Sequence, residues 1–267
     1  MSEKNTVMKT KAPNTIDTMH EDLLKLGVHK NDILLVHSSL SSLGWVCGGP
    51  QAVIMGLMKV LGNDGTLVMP AQTGDWSDPA EWGNPSIPKE WIQTVYDNLP
   101  AYEPEITPTR GMGRIAELFR TFPGTVRSNH PQVSFCANGK LAKDIIEDHT
   151  LTPQFGMDSP LGKLYDLNAK ILLLGVGYDS CTSFHLAETL INKIPKKQMG
   201  TAMLDQGERV WKWFDDYVYD SDDFELLGKD FEKNHSVQKG KVGNAECMLF
   251  NMRMGVDFAK TWLMKYR

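Results

Sequence analysis

The chain has 267 residues, of which 41% are hydrophobic and 23% are charged, and its formal net charge is −5. This composition is typical of a folded globular protein and excludes a disordered or fibrous chain. The negative charge, without a stripe of lysine and arginine, argues against a surface that binds nucleic acid.

The cysteines and the first residues bear on the cellular compartment. Residues 1–14 are polar and lack the apolar core of a secretion signal, and no apolar run approaches the ~20 residues that span a bilayer. The four cysteines are scattered without C-x-x-C spacing, which favours reduced thiols over a disulfide framework or a thiolate zinc site. We therefore expect a cytoplasmic protein that has no membrane partner.

The first third of the chain predicts a β-α-β unit. Thr15 is placed to cap a helix that ends near Gly27. Residues 33–36 are a non-alternating apolar run, which is typical of a strand buried on both faces. A helix over 52–61 and a second strand over 66–69 complete the unit. This pattern predicts an α/β protein.

The rest of the chain predicts one domain over 1–267, with 1–14 as a flexible N-terminal segment. Residues 72–108 are rich in Trp, Pro, Asp and Asn and predict a long excursion near the site, because such long loops usually cover one. Further elements follow, with helices near 115–119 and 141–149, a buried strand over 170–177, exposed β-structure over 210–219, a strand over 245–250 and a helix over 256–266.

A histidine and a carboxylate follow the buried strand over 170–177. Helical spacing places His185 in the first turn of the next helix and Glu188 on the same side of that helix. Ligands bind at the carboxyl ends of strands in open α/β sheets, so His185 beside Glu188 could act as an oriented general base. Asp179 is a further candidate to orient the histidine or bind substrate.

Three other interpretations of these residues stay open. His185 and Glu188 could form an ordinary pair on a helix surface. The H-x-x-E spacing could donate metal ligands, although the remaining ligands are not evident, so we expect no metal. Cys181, four residues before the histidine, could instead carry an acyl-enzyme intermediate.

Several separated motifs, taken in order, resemble the aminoglycoside 3-N-acetyltransferase family. The resemblance runs from about Asp17 to the end of the chain and is carried by His37 to Gly44 (HSSLSSLG), the Gly48-Gly49-Pro50 turn, Val68-Met69-Pro70 with Thr73, Thr107 to Gly113, Arg127 to Pro131 and Asp179 to Glu188.

The resemblance implies a three-layer α/β/α antibiotic N-acetyltransferase-like fold. This fold is distinct from that of the larger acetyltransferase superfamily, whose Q/R-x-x-G-x-G/A loop we do not find. It further implies an acetyl-CoA cosubstrate bound by Ser38, Ser39, Leu40, Ser41, Ser42, Gly44, Thr109, Arg110, Met112 and Gly113. His185 matches the catalytic histidine of the family and Glu188 its partner, which implies direct attack of an amine on the thioester. His37 and His130 also match the family pattern, and we interpret both as structural.

The acceptor implied by the resemblance is the 3-amino group of a 2-deoxystreptamine aminoglycoside. Thr73, Asp215 and Asp216 are the residues expected to bind it, because an acidic stretch attracts a cationic amine. A solvated acidic loop is the competing interpretation. The alternative function is a CoA-binding family member with little antibiotic activity, which acts on another amine or has a binding role.

Overall fold

The structure is a computed structural model and describes residues 3–267. Its strands are β1 (Ile33–Ser38), β2 (Thr66–Pro70), β3 (Val126–Arg127), β4 (Phe135–Gly139), β5 (Lys170–Leu174), β6 (Lys196–Asp205), β7 (Glu208–Tyr217), β8 (Gln238–Val242) and β9 (Ala245–Asn251). Its α-helices are α1 (Glu3–Lys9), α2 (Ile16–Leu26), α3 (Gly49–Leu61), α4 (Ile92–Asn98), α5 (Gly113–Arg120), α6 (Ala142–Ile146), α7 (Pro160–Asp166), α8 (Phe184–Ile191), α9 (Phe224–Asn234) and α10 (Met252–Tyr266). Short 3-10 helices cover Leu40–Leu43, Gly74–Trp76, Pro79–Glu81, Lys89–Trp91 and Tyr178–Ser180.

A seven-stranded mixed sheet in the order β3-β4-β2-β1-β5-β9-β8 forms the centre of the fold. β1 pairs in parallel with β2 on one side and with β5 on the other, whereas β4 and β9 extend the sheet antiparallel. After β1 the chain thus forms β2 on one side of this strand, and it returns later to form β5 on the other side. This reversal is a topological switch point, where a crevice opens at the carboxyl ends of the strands.

Helices cover both faces of the sheet and give the predicted three layers. Within β1, Leu34 and Val36 point into the core beneath α2, α3 and α5, whereas Leu35 points into the core beneath α6 to α10. Burying each such side chain stabilises the fold by roughly 1.5–3 kcal/mol relative to exposure. Among residues 3–267, no helix is long and apolar enough to cross a membrane.

The predicted elements of the first third agree with the structure. Thr15 caps α2 with a reciprocal capping box, and Gly27 ends that helix in the left-handed conformation at φ 105°. The β-α-β unit is present as β1, α3 and β2. The segment expected to be flexible contains α1, and its last residue is anchored because the Asn14 N–H donates to the Trp45 carbonyl at 3.0 Å.

The excursion over 72–108 folds mainly against a hairpin made of β6 and β7. The Tyr102 N–H donates to the Ala202 carbonyl at 3.0 Å, and the rings of Tyr96 and Trp211 pack with centroids 4.7 Å apart. The predicted β-structure over 210–219 is therefore one arm of a two-stranded sheet, whose other arm, β6, the sequence pattern did not predict.

A buried histidine pair supports the loop that leads to the site. The His130 and His149 rings pack at 4.6 Å, and the His149 Nε2–H donates to the Gln154 carbonyl at 2.8 Å. The Ser128 hydroxyl donates to His149 Nδ1 at 2.9 Å, so the ring is satisfied only while it is neutral. Burial lowers the pKa of His149 from 6.5 to about 4.

We expect acid to destabilise the protein through His149. The unfolded chain takes up a proton below pH 6.5, whereas the folded ring resists it down to about 4. Stability is therefore complete above this window and falls within it, by about 2 kcal/mol near pH 5 for this residue. Urea unfolding near neutral pH and near pH 5 measures the loss, which should be smaller in His149→Gln. An equal loss in the two proteins would contradict this prediction.

Candidate active site

His185 and Glu188 form a buried pair at the start of α8, as their spacing predicts. His185 Nδ1 lies 2.5 Å from Glu188 Oε2. A carboxylate only accepts hydrogen bonds, so a neutral His185 carries its hydrogen on Nδ1 and keeps a free lone pair on Nε2. The Glu188 side chain is 0% exposed and that of His185 is 16% exposed. The imidazole therefore has a fixed tautomer and one accessible basic nitrogen.

Two further groups hold the other oxygen of Glu188. The Arg267 guanidinium and the Asp220 N–H both donate to Oε1, the latter at 3.2 Å. A buried carboxylate must be paired and hydrogen-bonded to stay charged, and Glu188 meets both conditions.

Aromatic side chains enclose the His185 ring. Phe155 stacks on it with centroids 5.0 Å apart, Tyr219 meets it edge-on at 5.5 Å, and Phe224 packs at 4.9 Å. These contacts restrict rotation of the ring and exclude water from its faces. Phe155 follows the loop that His149 supports, which links that buried histidine to the site.

Two clefts meet at the switch point of the sheet. The first, which we call the histidine cleft, has a volume of ≈ 270 Å³ and is lined by residues that include His37, Gln72, Asp179, Thr182, His185 and Ser221. The second, the serine cleft, has a volume of ≈ 500 Å³ and is lined by residues that include Ser39, Ser41, Trp45, Gly49, Gly113 and Arg114. Ser38, Gly111 and Met112 line both clefts, so the two are adjacent.

Most residues predicted to bind the cosubstrate line the serine cleft. These are Ser38, Ser39, Leu40, Ser41, Gly44, Met112 and Gly113. Ser42 does not line it, because its hydroxyl donates to the Gly175 carbonyl at 2.9 Å and ties the turn to the end of β5. Thr109 is bound by Glu117, and Arg110 pairs with Asp75 at 3.4 Å. Ser42, Thr109 and Arg110 therefore bind other residues of the loops around the serine cleft, and their contact with the cosubstrate stays a prediction.

The residues predicted on the acceptor side separate into two groups. Asp179 lines the histidine cleft, without a hydrogen bond to His185 in the structure, and Asp215 is exposed on β7. Thr73 is 0% exposed and donates to the Pro131 carbonyl. Asp216 is also 0% exposed and accepts from the N–H groups of Gln154 and Tyr217, each at 2.8 Å. We therefore correct the assignment of Thr73 and Asp216, because both support the walls of the site instead of facing the acceptor.

Other candidate groups near His185 are neutral and buried. Burial raises the pKa of the Cys181 thiol to about 12, and this side chain does not line the histidine cleft. His37 does line it, and burial, with a smaller contribution from His185, lowers the pKa of His37 to about 4. Its Nε2 is buried without a hydrogen-bond partner among the described residues. His130 lies in the supporting pair and not in this cleft.

The sequence pattern missed several residues that the structure brings to the site. Arg114 is exposed in the first turn of α5 and brings a positive charge to the serine cleft. Arg267 reaches Glu188 from the end of α10, and Phe155 and Tyr219 enclose His185. Arg114 follows the Gly111 to Gly113 motif directly, which was a usable signal. Within residues 3–267, no cluster of His, Cys, Asp and Glu is arranged to hold a metal ion.

A family model described as aminoglycoside 3-N-acetyltransferase matches residues 35–264, which contain the pair and line both clefts. The chain belongs to the aminoglycoside 3-N-acetyltransferase family. It is therefore a member of a family of acyltransferases, and the suspected resemblance is confirmed.

Relatives of this chain cover nearly its whole length. The SPbeta prophage-derived aminoglycoside N(3')-acetyltransferase-like protein YokD of Bacillus subtilis (strain 168) is 46% identical over 97% of this chain and 96% of its own. Its crystal structure has a TM-score of 0.97 and covers 98% of this chain and 97% of its own. Aminoglycoside N(3)-acetyltransferase VII of Streptomyces paromomycinus is 33% identical over 98% of this chain and 96% of its own. A structure of AAC-IIIb in a binary complex with CoASH is 28% identical, with a TM-score of 0.84 and coverage of 96% and 98%.

The two neighbouring aspartates of β7 should differ sharply when they are neutralised. Asp216→Asn should lower the free energy of unfolding by about 2 kcal/mol, because an amide cannot accept both backbone hydrogen bonds as well as a carboxylate does. Asp215→Asn, on the exposed face, should change it by less than about 0.5 kcal/mol. Urea unfolding of the two variants measures the difference. Equal losses of unfolding free energy in the two variants would again make Asp216 a candidate ligand of the acceptor.

Proposed function

We propose that this chain transfers the acetyl group of acetyl-CoA to the 3-amino group of a 2-deoxystreptamine aminoglycoside, with His185 as general base. The observation that carries the proposal is the His185–Glu188 pair, which leaves Nε2 free in a cleft adjacent to the serine cleft. An oriented neutral imidazole is suited to take a proton from an attacking amine.

The serine cleft is the proposed binding site for acetyl-CoA. The hydroxyls of Ser38, Ser39 and Ser41 can bind the polar groups of the phosphopantetheine arm. Gly111 and Gly113 have φ angles of 74° and 81°, and no neighbouring atom occupies the space where a Cβ would stand, so the backbone can approach a diphosphate closely. Arg114 adds a positive charge to the wall. AAC-IIIb, a structural relative, has been solved with CoASH.

His185 performs the proton transfer in this proposal. Nε2 takes a proton from the acceptor amine as the nitrogen bonds to the thioester carbonyl carbon. Glu188 stabilises the imidazolium that forms, in the way that a buried carboxylate supports the histidine of a catalytic triad. The carbon–sulfur bond then breaks, and the CoA sulfur leaves as a thiolate that can receive the proton from His185.

Thr182 is the proposed donor to the charge that develops on the thioester oxygen. It lines the histidine cleft and is 8% exposed, whereas the Ser39 and Ser42 N–H groups already donate to the Leu174 and Ser39 carbonyls. A hydroxyl aimed at developing negative charge in a cleft shielded from water lowers the barrier more than it would in bulk water.

Direct transfer is favoured over an acyl-enzyme on Cys181. A thiol whose pKa is about 12 stays protonated near neutral pH, and the thiolate is the nucleophilic form. Cys181 also shares a buried hydrogen bond with the Ser183 hydroxyl, with the two atoms 3.1 Å apart.

The test of the proposed activity is thiol release from acetyl-CoA in the presence of aminoglycosides that carry a 3-amino group, with the acetylated position read by NMR. The proposal requires turnover and a 3-N-acetyl product. Polyamines serve as a second acceptor class. Acetyl-CoA binding without turnover of any aminoglycoside would contradict the proposal and support the alternative of a family member that acts elsewhere or only binds CoA.

Substitution of His185 should separate chemistry from binding. We expect His185→Ala to lower kcat by roughly 10²- to 10⁴-fold while the Kd of acetyl-CoA changes by less than a few fold, because the base acts only in proton transfer. Glu188→Gln should lower kcat less, and Cys181→Ala, as the matched control, should keep most of the activity. Steady-state kinetics and calorimetry check these results. Parent-like turnover in His185→Ala would remove this residue from the mechanism.

Removing the charge of Arg114 should weaken cosubstrate binding. We expect Arg114→Gln to raise the KM of acetyl-CoA about 5- to 10-fold, with kcat and the KM of the acceptor nearly unchanged, because a guanidinium binds phosphate before the chemical step. Dephospho-CoA derivatives and a salt series identify the phosphate involved. An unchanged KM at low salt would exclude Arg114 from the binding site.

A further inference from the structure

We infer that Arg267 is a positioning residue that holds Glu188 toward His185 and sets the pH range in which His185 is free to take a proton. This inference rests on the proposed function, because it concerns the same base. It adds a residue from the end of α10 to a site otherwise formed at the carboxyl ends of the strands.

The guanidinium of Arg267 joins three elements around the pair. Nη1 donates to Glu188 Oε1 on α8. Nε donates to Asp223 Oδ2 at 2.8 Å, and Nη2 donates to Asp223 Oδ1 and to the Asp220 carbonyl, the latter at 2.7 Å. Only 16% of the Arg267 side chain is exposed, and its guanidinium carbon lies 5.8 Å from the Phe224 ring centre. Such a fork fixes both the position and the direction of the carboxylate it binds.

The two oxygens of Glu188 consequently have different partners. Oε1 is occupied by Arg267 and by the Asp220 N–H, so Oε2 remains for His185 Nδ1. Without the guanidinium, the carboxylate could rotate between partners, and the Nδ1–H tautomer of His185 would lose part of its support.

Charge gives Arg267 a second effect. When His185 is neutral, as a base must be before it acts, the only cation hydrogen-bonded to the 0% exposed Glu188 within residues 3–267 is Arg267. Burial opposes the charge on Arg267, but the hydrogen bonds and attraction of Asp223 and Glu188 outweigh it and raise the pKa of Arg267. The guanidinium thus supplies the opposite charge beside the buried Glu188 carboxylate, and it opposes a second positive charge on His185.

The remaining charged groups around the pair do not replace this cation. His37 faces the cleft from β1 and is neutral near physiological pH, since its pKa is about 4. Asp179 faces the cleft from the 3-10 helix Tyr178–Ser180 and is negative. Asp223, before α9, is engaged by Arg267, and the Asp220 carboxylate accepts from the Asp222 N–H at 2.9 Å. These acids favour protonation of His185, and Arg267 opposes it.

The first test is the pH profile of kcat/KM for the parent, Arg267→Gln and Arg267→Lys. Arg267→Gln keeps a hydrogen-bond donor and removes the charge, so the midpoint of the acid limb should rise by about one pH unit. Arg267→Lys keeps the charge, so its midpoint should rise by no more than half as much as that of Arg267→Gln. Arg253→Gln is the control and should leave the midpoint unchanged, because Arg253 lies on α10 but donates to the Tyr165 and Asp166 carbonyls and packs over the Tyr165 ring. A uniform loss of activity in Arg267→Gln with no shift of the midpoint would show a purely structural role and overturn the inference.

The second test needs no turnover and so separates this inference from the proposed function. NMR titration of the His185 ring in the same variants should show the same upward shift even if no aminoglycoside is acetylated. Asp223→Asn should shift the midpoint of the His185 titration in the opposite direction, because it removes a negative charge that Arg267 now neutralises. The midpoint in this variant should therefore fall, and this variant still provides a test if Arg267→Gln does not fold. A rise in Asp223→Asn, or an unshifted ring in folded Arg267→Gln, would contradict the inference.

Discussion

A carboxylate with no exposed surface, Glu188, lies beside the proposed general base of this protein, and much of the site is arranged to pair with it. Glu188 accepts from His185, from Arg267 and from a backbone N–H, and these partners come from a helix, from a loop and from the end of the chain's last helix. Loss of one partner of a buried ion pair typically costs about 3–5 kcal/mol, because the remaining charge stays buried. The same need for partners fixes the tautomer of His185. Stability and the proposed chemistry therefore depend on one ionised group.

The sheet explains why the pair lies next to the serine cleft. β1 ends in the serine-rich turn and β5, its parallel neighbour, ends just before the segment that leads to α8. Because the connection after β1 leads to β2 and the connection after β5 leads toward β8 and β9 on the opposite side of the sheet, the two loops diverge and a crevice remains between them. Ser42 bridges this crevice at its base by donating to the Gly175 carbonyl. The proposed cosubstrate site and the proposed base thus follow from one feature of topology.

Local patterns predicted the β-α-β unit and the central pair, and the family resemblance implied the three-layer fold, whereas contacts between residues distant in sequence were not predicted. The spacing of His185 and Glu188 placed both on one side of a helix, which the structure confirms. Arg267 contacts Glu188 only through packing of α10 on α8, and no spacing in the sequence encodes that contact. Asp216 looked like a surface acid because residue type does not reveal burial. The helix α9 was not predicted, although Phe224, Leu227 and Phe231 recur at helical spacing.

The state of the His185 ring before any substrate binds tests the account most directly. NMR of protein labelled with ¹⁵N-histidine distinguishes a protonated ring nitrogen from one that bears only a lone pair. The account predicts a neutral His185 with its hydrogen on Nδ1, in a strong hydrogen bond that is weakened in Glu188→Gln, and with an unprotonated Nε2. A His185 ring that carries its hydrogen on Nε2 near neutral pH would contradict the account, because no basic nitrogen would then face the cleft.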